Sequence, residues 1–319
     1  MTVTVALAGD TMLGRSVGRA LATAPPEALV APEILAAMGQ ADLVVLNLEC
    51  CISERGRPWD APGKPFFFRA PLRAVELLAL LGTDCVTLAN NHALDYGFDA
   101  LLDTLEHLAD AGVAVVGAGA DLEQARRPAV LAAGGLRVAV VGVTDHPPDF
   151  AAGQDRPGTA FADLGRAVPD WLLQAVRAAD ADVVLVTPHW GPNMTTEPVR
   201  HVRRAAAALV DAGATLVAGH SAHVPHGVAD PVLYDLGDFL DDYRVDPTLR
   251  NDLGLLFLVT LDGGGPVRLQ ALPLKLEFCH TRLAVGEDVA WMRRRFRSAC
   301  ATLGTTVEQA ADRLIISWR

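Results

Sequence analysis

Side chains that can bind a metal ion or move a proton stand directly after several short apolar runs of this chain. In chain order they are Asp10, Asn47, Glu49, Asn90, Asn91, His92, His189, His220 and His223. Carboxylates neutralise the charge of a cation, an amide oxygen is a neutral ligand, and a neutral imidazole supplies nitrogen. We expect a divalent metal, manganese, zinc, iron or cobalt, as one ion or two. The imidazoles argue against a site dedicated to Mg²⁺ or Ca²⁺.

The apolar runs before these side chains predict short buried strands. Their ranges are 4–8, 43–46, 85–88, 114–116, 137–143, 183–187, 215–218, 232–236, 255–261 and 267–274. The carboxyl ends of parallel strands share one edge of an α/β sheet, so residues far apart in the chain can meet there. The polar side chains above are therefore expected to converge.

Helical periodicity separates the strands. Apolar residues recur three and four apart over 72–81, 98–111, 164–179, 199–212 and 288–303. Near the end of the chain, Asp262-Gly263-Gly264-Gly265 predicts a hairpin turn and hence antiparallel pairing. The fold class is therefore α/β, with two mixed sheets flanked by helices. We expect one domain over residues 1–279 and a helical extension over 280–319 packed on it.

Composition limits the kinds of partner. Of the 319 residues, 51% are hydrophobic, which suffices for a sizeable core, and the formal net charge is −11. This charge argues against broad nucleic-acid or anionic-membrane binding. No signal-peptide pattern or membrane-spanning apolar stretch is found, and the five cysteines contain no Cys-x-x-Cys pair. A cytoplasmic protein with reduced thiols is expected, and the family resemblance given below implies a peptide or other small acidic substrate.

Several blocks in a fixed order resemble the calcineurin-like metallophosphoesterases, and most closely their CapA (poly-γ-glutamate capsule biosynthesis) branch. That superfamily strings together an Asp-x-His, a Gly-Asp-x-x-Asp, an Asn-His-Asp/Glu, a lone His and a Gly-His-x-His. The matching blocks are Gly9-Asp10-Thr11-Met12-Leu13-Gly14-Arg15, Asn47-Leu48-Glu49, Leu88-Ala89-Asn90-Asn91-His92-Ala93-Leu94-Asp95-Tyr96-Gly97, Pro188-His189-Trp190-Gly191, Gly219-His220-Ser221-Ala222-His223-Val224 and Tyr234-Asp235-Leu236-Gly237-Asp238-Phe239. The resemblance implies an α/β/β/α sandwich.

The resemblance also implies roles for individual residues. Glu49 would bridge two metal positions. The ligands on one side would be Asn91, His189 and His220, and those on the other Asp10 and His223. His92 would be the acid/base beside the metal, and Asp95 would orient its ring.

This chain departs from the superfamily pattern at three places. Met12 replaces the histidine of Asp-x-His, so the position shared by Asp10 and His223 lacks one ligand. The bridging residue is Glu49 rather than Asp, and the last pair is spaced His-x-x-His, both as in CapA proteins. One firmly held metal ion is therefore the expected working state.

Two enzymatic hypotheses follow from such a site. In the first, the metal activates water for hydrolysis of a phosphoester or amide, with His92 protonating the leaving group. In the second, the metal stabilises an enolate and His92 moves a Cα proton, which epimerises a peptide residue. The second needs an acid/base on the opposite face, for which the candidates are Cys51, His226 and His280.

We favour the epimerase, since soluble CapA-like proteins resemble the enzymes that epimerise the C-terminal residue of a lasso-peptide precursor, a ribosomally made peptide. The lost Asp-x-His histidine agrees with this choice. A metallophosphoesterase is the first alternative, and a non-catalytic scaffold of poly-γ-glutamate biosynthesis is the second. The pair His92 and Asp95 argues against the scaffold, because a scaffold needs no oriented acid/base. Arg15 and Lys64 are further candidates for binding an anionic group.

Overall fold

The computed structural model describes residues 1–60 and 62–318 as a mixed α/β structure. The helices are α1 (Arg15–Thr23), α2 (Pro32–Met38), α3 (Ala74–Leu80), α4 (Phe98–Asp110), α5 (Leu122–Arg126), α6 (Asp170–Arg177), α7 (Arg200–Asp211) and α8 (Gly286–Ala301), with 3₁₀ helices at Pro26–Ala28 and Pro148–Phe150. The predicted fold class, two mixed sheets flanked by helices, is confirmed.

The strands include all ten that the sequence predicts and several short ones besides. They are β1 (Val3–Thr11), β2 (Leu43–Leu48), β3 (Cys51–Ile52), β4 (Arg69–Ala70), β5 (Cys85–Thr87), β6 (Ala114–Val116), β7 (Ala118–Gly119), β8 (Ala129–Ala133), β9 (Leu136–Thr144), β10 (Gly158–Thr159), β11 (Val183–His189), β12 (Leu216–Ala218), β13 (Val228–Ala229), β14 (Val232–Leu233), β15 (Asp238–Leu240), β16 (Leu253–Asp262), β17 (Gly265–Glu277), β18 (His280–Leu283), β19 (Glu308–Ala310) and β20 (Arg313–Ser317).

Two large sheets carry the site. The ten-stranded sheet has the order β19-β20-β17-β16-β1-β2-β5-β6, with β15 paired to β1 and β18 to β17. Its β1, β2, β5 and β6 run parallel, while β16 and β17 form the antiparallel hairpin expected from the Gly-rich turn. The six-stranded sheet has the order β13-β14-β12-β11-β9-β8, with β9, β11 and β12 parallel.

Alternation of side chains along each strand builds the core on both sides of a sheet. In β1, Val5 and Leu7 lie in the buried cluster between the two sheets, which also contains Leu185 of β11. Ala6 and Ala8 belong instead to the cluster under the helices α1 to α4. Because successive strand residues point to opposite faces, an almost continuous apolar run is needed when both faces are covered.

The helix predicted over 164–179 is shorter in the structure. Helix α6 begins at Asp170, directly after Pro169. Proline has no N–H to donate and clashes with the preceding helical turn, so it is tolerated only at a helix start. Leu164, at the start of the predicted helix, is buried as part of a loop.

The segment from residue 280 was predicted to be a helical extension, and this description needs correction. It contains α8, but also β18 and β20, which pair with β17 in the ten-stranded sheet. Leu314 and Ile316 of β20 are buried between the sheets, as are Met292 and Phe296 of α8. The short run Leu314-Ile315-Ile316 extends the sheet because β17 offers it an unpaired edge.

Gly9 allows β1 to reach the site. A Cβ at Gly9 would lie 1.8 Å from the carbonyl oxygen of Gly237. The N–H of Asp10 donates to that same carbonyl at 2.8 Å, and Asp10 is paired in register with Asp238. A glycine is therefore required where the start of β15 pairs with the end of β1.

Within the described residues, none of the helices combines the length and apolarity that crossing a lipid bilayer would demand.

We expect Gly9→Ala to destabilise the fold by about 1–3 kcal/mol, as overpacking does, and to weaken metal binding, because the added methyl group pushes β15 away from β1. Urea unfolding and metal titration measure the two effects. Gly263→Ala is the matched control, since a Cβ at Gly263 has no atom within 4 Å. Equal stability of the two variants would contradict this account of Gly9.

Candidate metal centre and active site

Three parallel strands bring the first group of possible ligands together. Asp10 is the penultimate residue of β1, Glu49 follows β2, and His189 ends β11 of the other sheet. Each offers a ligand atom within 4.8 Å of the others, and all three side chains are buried. The predicted convergence of strand ends therefore occurs across both sheets.

A second group shares Asp10 with the first. Its other members are His223 and Asp238, again with ligand atoms within 4.8 Å of one another. Asp238 was not among the ligands implied by the sequence, although its block was recognised. Met12 is buried, and its sulfur accepts from the N–H of Gly14. Asp238 would thus supply a donor to the metal position that, by the resemblance, Met12 leaves short of one.

The carboxylates are held by amide side chains. The Nδ2 of Asn47 donates to Oδ1 of Asp10 at 2.7 Å and to Oε1 of Glu49 at 3.3 Å. The Nδ2 of Asn90 in turn donates to Oδ1 of Asn47 at 2.9 Å, and Oδ1 of Asn90 accepts from the N–H of His92. Asn47 and Asn90 therefore connect the carboxylates to the loop that carries His92.

The histidines after β11 and β12 are also fixed by carboxylates. His189 and His220 form an isolated parallel bridge, which extends the pairing of the two strands. The Nδ1 of His220 lies 3.1 Å from Oδ1 of Asp10, and the Nδ1 of His223 lies 2.8 Å from Oδ1 of Asp238. His223 has a φ of +59°, a backbone conformation that is uncommon outside glycine.

Burial and charge displace the pKa values in this cluster. Burial raises the pKa of Glu49 well above its usual range, and the charge of Asp10 adds to the shift. Burial also raises the pKa of Asp238, against the influence of His223. Burial alone would lower the pKa of His223, but the charge of Asp238 and the hydrogen bond with Asp10 raise it well above normal. Burial lowers the pKa of His189, which favours its neutral, ligating form.

The residues present fit a divalent cation. Buried atoms that can act as ligands have no hydrogen-bond partner among residues 1–60 and 62–318: Oε2 of Glu49, Oδ1 of Asn91, Nε2 of His189 and Oδ2 of Asp238. Unpaired polar atoms and clustered carboxylates are costly to bury unless a cation compensates them. In this geometry the residue common to both groups is Asp10, whereas the resemblance implied Glu49.

His92 forms the second functional element. Its Nδ1 lies 2.6 Å from Oδ2 of Asp95, and its ring stacks on Phe68 with centroids 3.9 Å apart. Burial lowers the pKa of His92, although the hydrogen bond with Asp95 opposes the shift. Lys64 pairs with Oδ1 of Asp95 at 2.6 Å and donates to the carbonyl of Asn91. Lys64 therefore contacts the His92 support rather than standing free to bind an anion.

A cavity of about 560 Å³ opens beside this centre. His92 and His223 both line it, together with Arg15, Tyr243, Phe68 and Arg244. Arg15 forms an ion pair with Asp242 at 2.6 Å, and its guanidinium lies 5.8 Å from the centroid of the Tyr243 ring. His92 and one of the candidate ligands, His223, thus line the same space.

The family model of the bacterial capsule synthesis protein PGA_cap matches residues 4–243. The chain belongs to this family. It is 34% identical over 294 residues to the "Probable polyglutamine synthesis accessory protein" of Mycobacterium tuberculosis, covering 86% of this chain and 76% of that one. It is 29% identical over 245 residues to the PGA biosynthesis protein CapA of Bacillus subtilis, covering 73% and 62%. The predicted CapA membership is confirmed.

A solved structure resembles the fold distantly. It is a hypothetical protein from Thermus thermophilus, with a TM-score of 0.47 and 20% identity over 85% of this chain and 99% of that one.

The three candidates for an opposite-face acid/base do not join the cavity in this PGA_cap protein. Cys51 is buried in β3, and burial raises its pKa to about 12. His226 is buried, its Nε2 bonds to the carbonyl of Thr195, and burial lowers its pKa to about 4. His280 lies in β18 with its Nδ1 3.6 Å from Glu277. None is among the described residues that line the cavity with His92.

We expect the affinity of this PGA_cap protein for Mn²⁺ to rise with pH. Metal binding must remove protons from His223, Glu49 and Asp238, whose pKa values are raised, so binding weakens as pH falls and releases protons as it occurs. Calorimetry in buffers of different ionisation enthalpy counts the released protons. His223→Gln should release fewer of them, and an affinity that does not change with pH would contradict the assignment.

The assignment of Asp238 can be tested separately. Asp238→Asn should weaken Mn²⁺ binding by at least about tenfold, because it removes a charged donor from the second group. Asp84→Asn is the control, since this carboxylate, just before β5, accepts from the N–H of Val44 and belongs to neither group. Equal affinity of both variants would remove Asp238 from the metal centre.

Proposed function

We propose that this protein is a metal-dependent enzyme that hydrolyses an ester or amide bond in an acidic substrate, with His92 as its acid/base. The observation that carries the proposal is the cavity shared by His92, oriented by Asp95, and His223 of the candidate metal centre. A non-catalytic scaffold has no need of both features at one opening.

The chain's own residues suit proton transfer in both directions. With Nδ1 of His92 bonded to Asp95, Nε2 is the nitrogen left for proton transfer. The lowered pKa of His92 leaves Nε2 unprotonated at neutral pH, so it can accept a proton from the attacking water and return it to the leaving group. Asp95 stabilises the imidazolium formed in between. A divalent ion bound at the carboxylates would polarise the bond that is attacked.

The substrate class follows from the cavity and from the relatives. Two arginines, Arg15 and Arg244, and one carboxylate, Asp242, line the cavity. Asp242 is paired with Arg15, so the exposed Arg244 leaves these three side chains with one positive charge. The printed names of the relatives refer to synthesis of polyglutamine and of PGA. We therefore propose a substrate with a carboxylate, such as a glutamyl peptide or polymer.

Epimerisation of a peptide Cα is the second proposal. It needs two proton-transfer groups in one cavity, and Tyr243 is the candidate that lines the cavity with His92. Burial raises the pKa of Tyr243 well above its usual range, so its phenol stays protonated and can donate. Hydrolysis is preferred because it requires only His92.

His92→Gln should lower turnover by about 10²–10⁴-fold while leaving Mn²⁺ binding unchanged, because an acid/base is lost but no metal ligand. The assay follows α- and γ-linked glutamyl oligomers and phosphodiesters with the Mn²⁺-loaded protein in D₂O by mass spectrometry. Cleavage that depends on His92 supports hydrolysis, and a one-dalton gain without cleavage supports epimerisation instead. Unchanged turnover in His92→Gln would contradict both enzymatic proposals.

A further inference from the structure

Three large apolar side chains stand exposed at the mouth of the cavity that contains His92. Phe66 is 53% exposed, Phe278 72% and Met194 39%, and all three line this cavity. We call them the apolar rim. Exposed apolar surface gathered at one opening is uncommon on a soluble protein and marks places where a ligand covers it.

The apolar rim is assembled from distant parts of the chain. Phe66 lies between β3 and β4, Met194 follows β11, and Phe278 is in the turn between β17 and β18. The backbone is anchored at two of these places. The N–H of Met194 donates to the carbonyl of Ala222 at 3.0 Å, and that of Cys279 donates to the carbonyl of Asp241 at 3.0 Å. The rim is therefore a tertiary feature and not one unusually apolar loop.

Positive charge lies next to the apolar rim. The guanidinium of Arg15 is 5.1 Å from the centroid of the Phe66 ring and is paired with Asp242. Arg244 is exposed on the same cavity, so one positive charge among these three side chains is not balanced by a carboxylate. A ligand that uses the whole cavity must therefore offer an anionic group and an apolar group. A uniformly acidic polymer would leave the aromatic rings of the rim uncovered.

We propose that the cavity binds an amphiphilic carboxylate, a molecule in which a carboxylate is joined to an apolar group of about the size of an aromatic ring or a short acyl chain. This inference rests on the proposed function only in taking the cavity as the substrate site. The carboxylate interacts with Arg244, beside the Arg15–Asp242 pair, and the apolar group packs on Phe66, Met194 and Phe278.

Calorimetry with defined probes tests the proposal. N-octanoyl-L-glutamate and N-phenylacetyl-L-glutamate, below their micellar concentrations, are compared with N-acetyl-L-glutamate on the full chain with and without Mn²⁺. At least one of the two should bind about tenfold tighter or more, as expected for burying several CH₂ groups. The tighter of the two identifies the apolar group as aliphatic or aromatic. Equal affinity for all three probes would overturn the proposal.

Variants separate the two halves of the ligand site. Phe66→Ser and Phe278→Ser should lose the gain in affinity. Leu72→Ser should keep it, since Leu72 is as exposed as Phe66, at 53%, but does not line the cavity. N-octanoyl-L-glutamate diamide, which has no carboxylate, should bind weakly, and tight binding of it would contradict the role of Arg244. Probe binding is measured without turnover, whereas hydrolysis is measured by mass spectrometry, so failure of the proposed hydrolysis and failure of this inference give different results.

Discussion

The structure depends on holding several carboxylates close together in an interior that is otherwise apolar. Asp10, Glu49 and Asp238 are buried, and the apolar clusters above and below the sheets begin within a few residues of each. Such charges repel one another and lose their hydration, so they are stable only when cations and hydrogen bonds compensate them. In the protein without a bound cation, burial and the neighbouring carboxylates raise the pKa values of Glu49 and Asp238. A divalent ion bound by these carboxylates would compensate their charge.

The carboxylate that orients His92 is also buried and also compensated by its neighbours. Asp95 is buried and receives Lys64, the N–H of Phe68 at 2.6 Å and the ring of His92. Lys64 and Phe68 belong to the segment between β3 and β4. His92 and that segment therefore both contact the buried carboxylate of Asp95. Phe66 lies on the same segment. The part of the chain that orients the proton-transfer group therefore also shapes the apolar side of the cavity.

The cavity combines a polar inner wall with an apolar mouth. Its inner wall carries His92 and His223, and its mouth carries the exposed rings of Phe66 and Phe278. The polar inner wall suits bond cleavage, whereas the apolar mouth suits recognition of a group remote from the reacting bond. Binding energy from remote parts of a substrate can be used to position the reacting centre. In the function and ligand that we propose, the two regions are complementary parts of one substrate site.

The sequence by itself determined the strands, the α/β class, the family and most polar residues of the site, since each rests on a local pattern. Apolar runs specify strands, and the blocks around Asp10, His92 and His220 are short motifs that resemble the family pattern. Tertiary structure alone decided that Asp238 joins Asp10 and His223, because this depends on the parallel pairing of β15 with β1. It also excluded Cys51 from the cavity: Cys51 stands only two residues after Glu49, but its side chain is buried in β3 and does not line the cavity. The apolar rim belongs to the same class of property. The exposure of Phe66, Met194 and Phe278 at one opening depends on how distant segments pack, so no local sequence pattern predicts it.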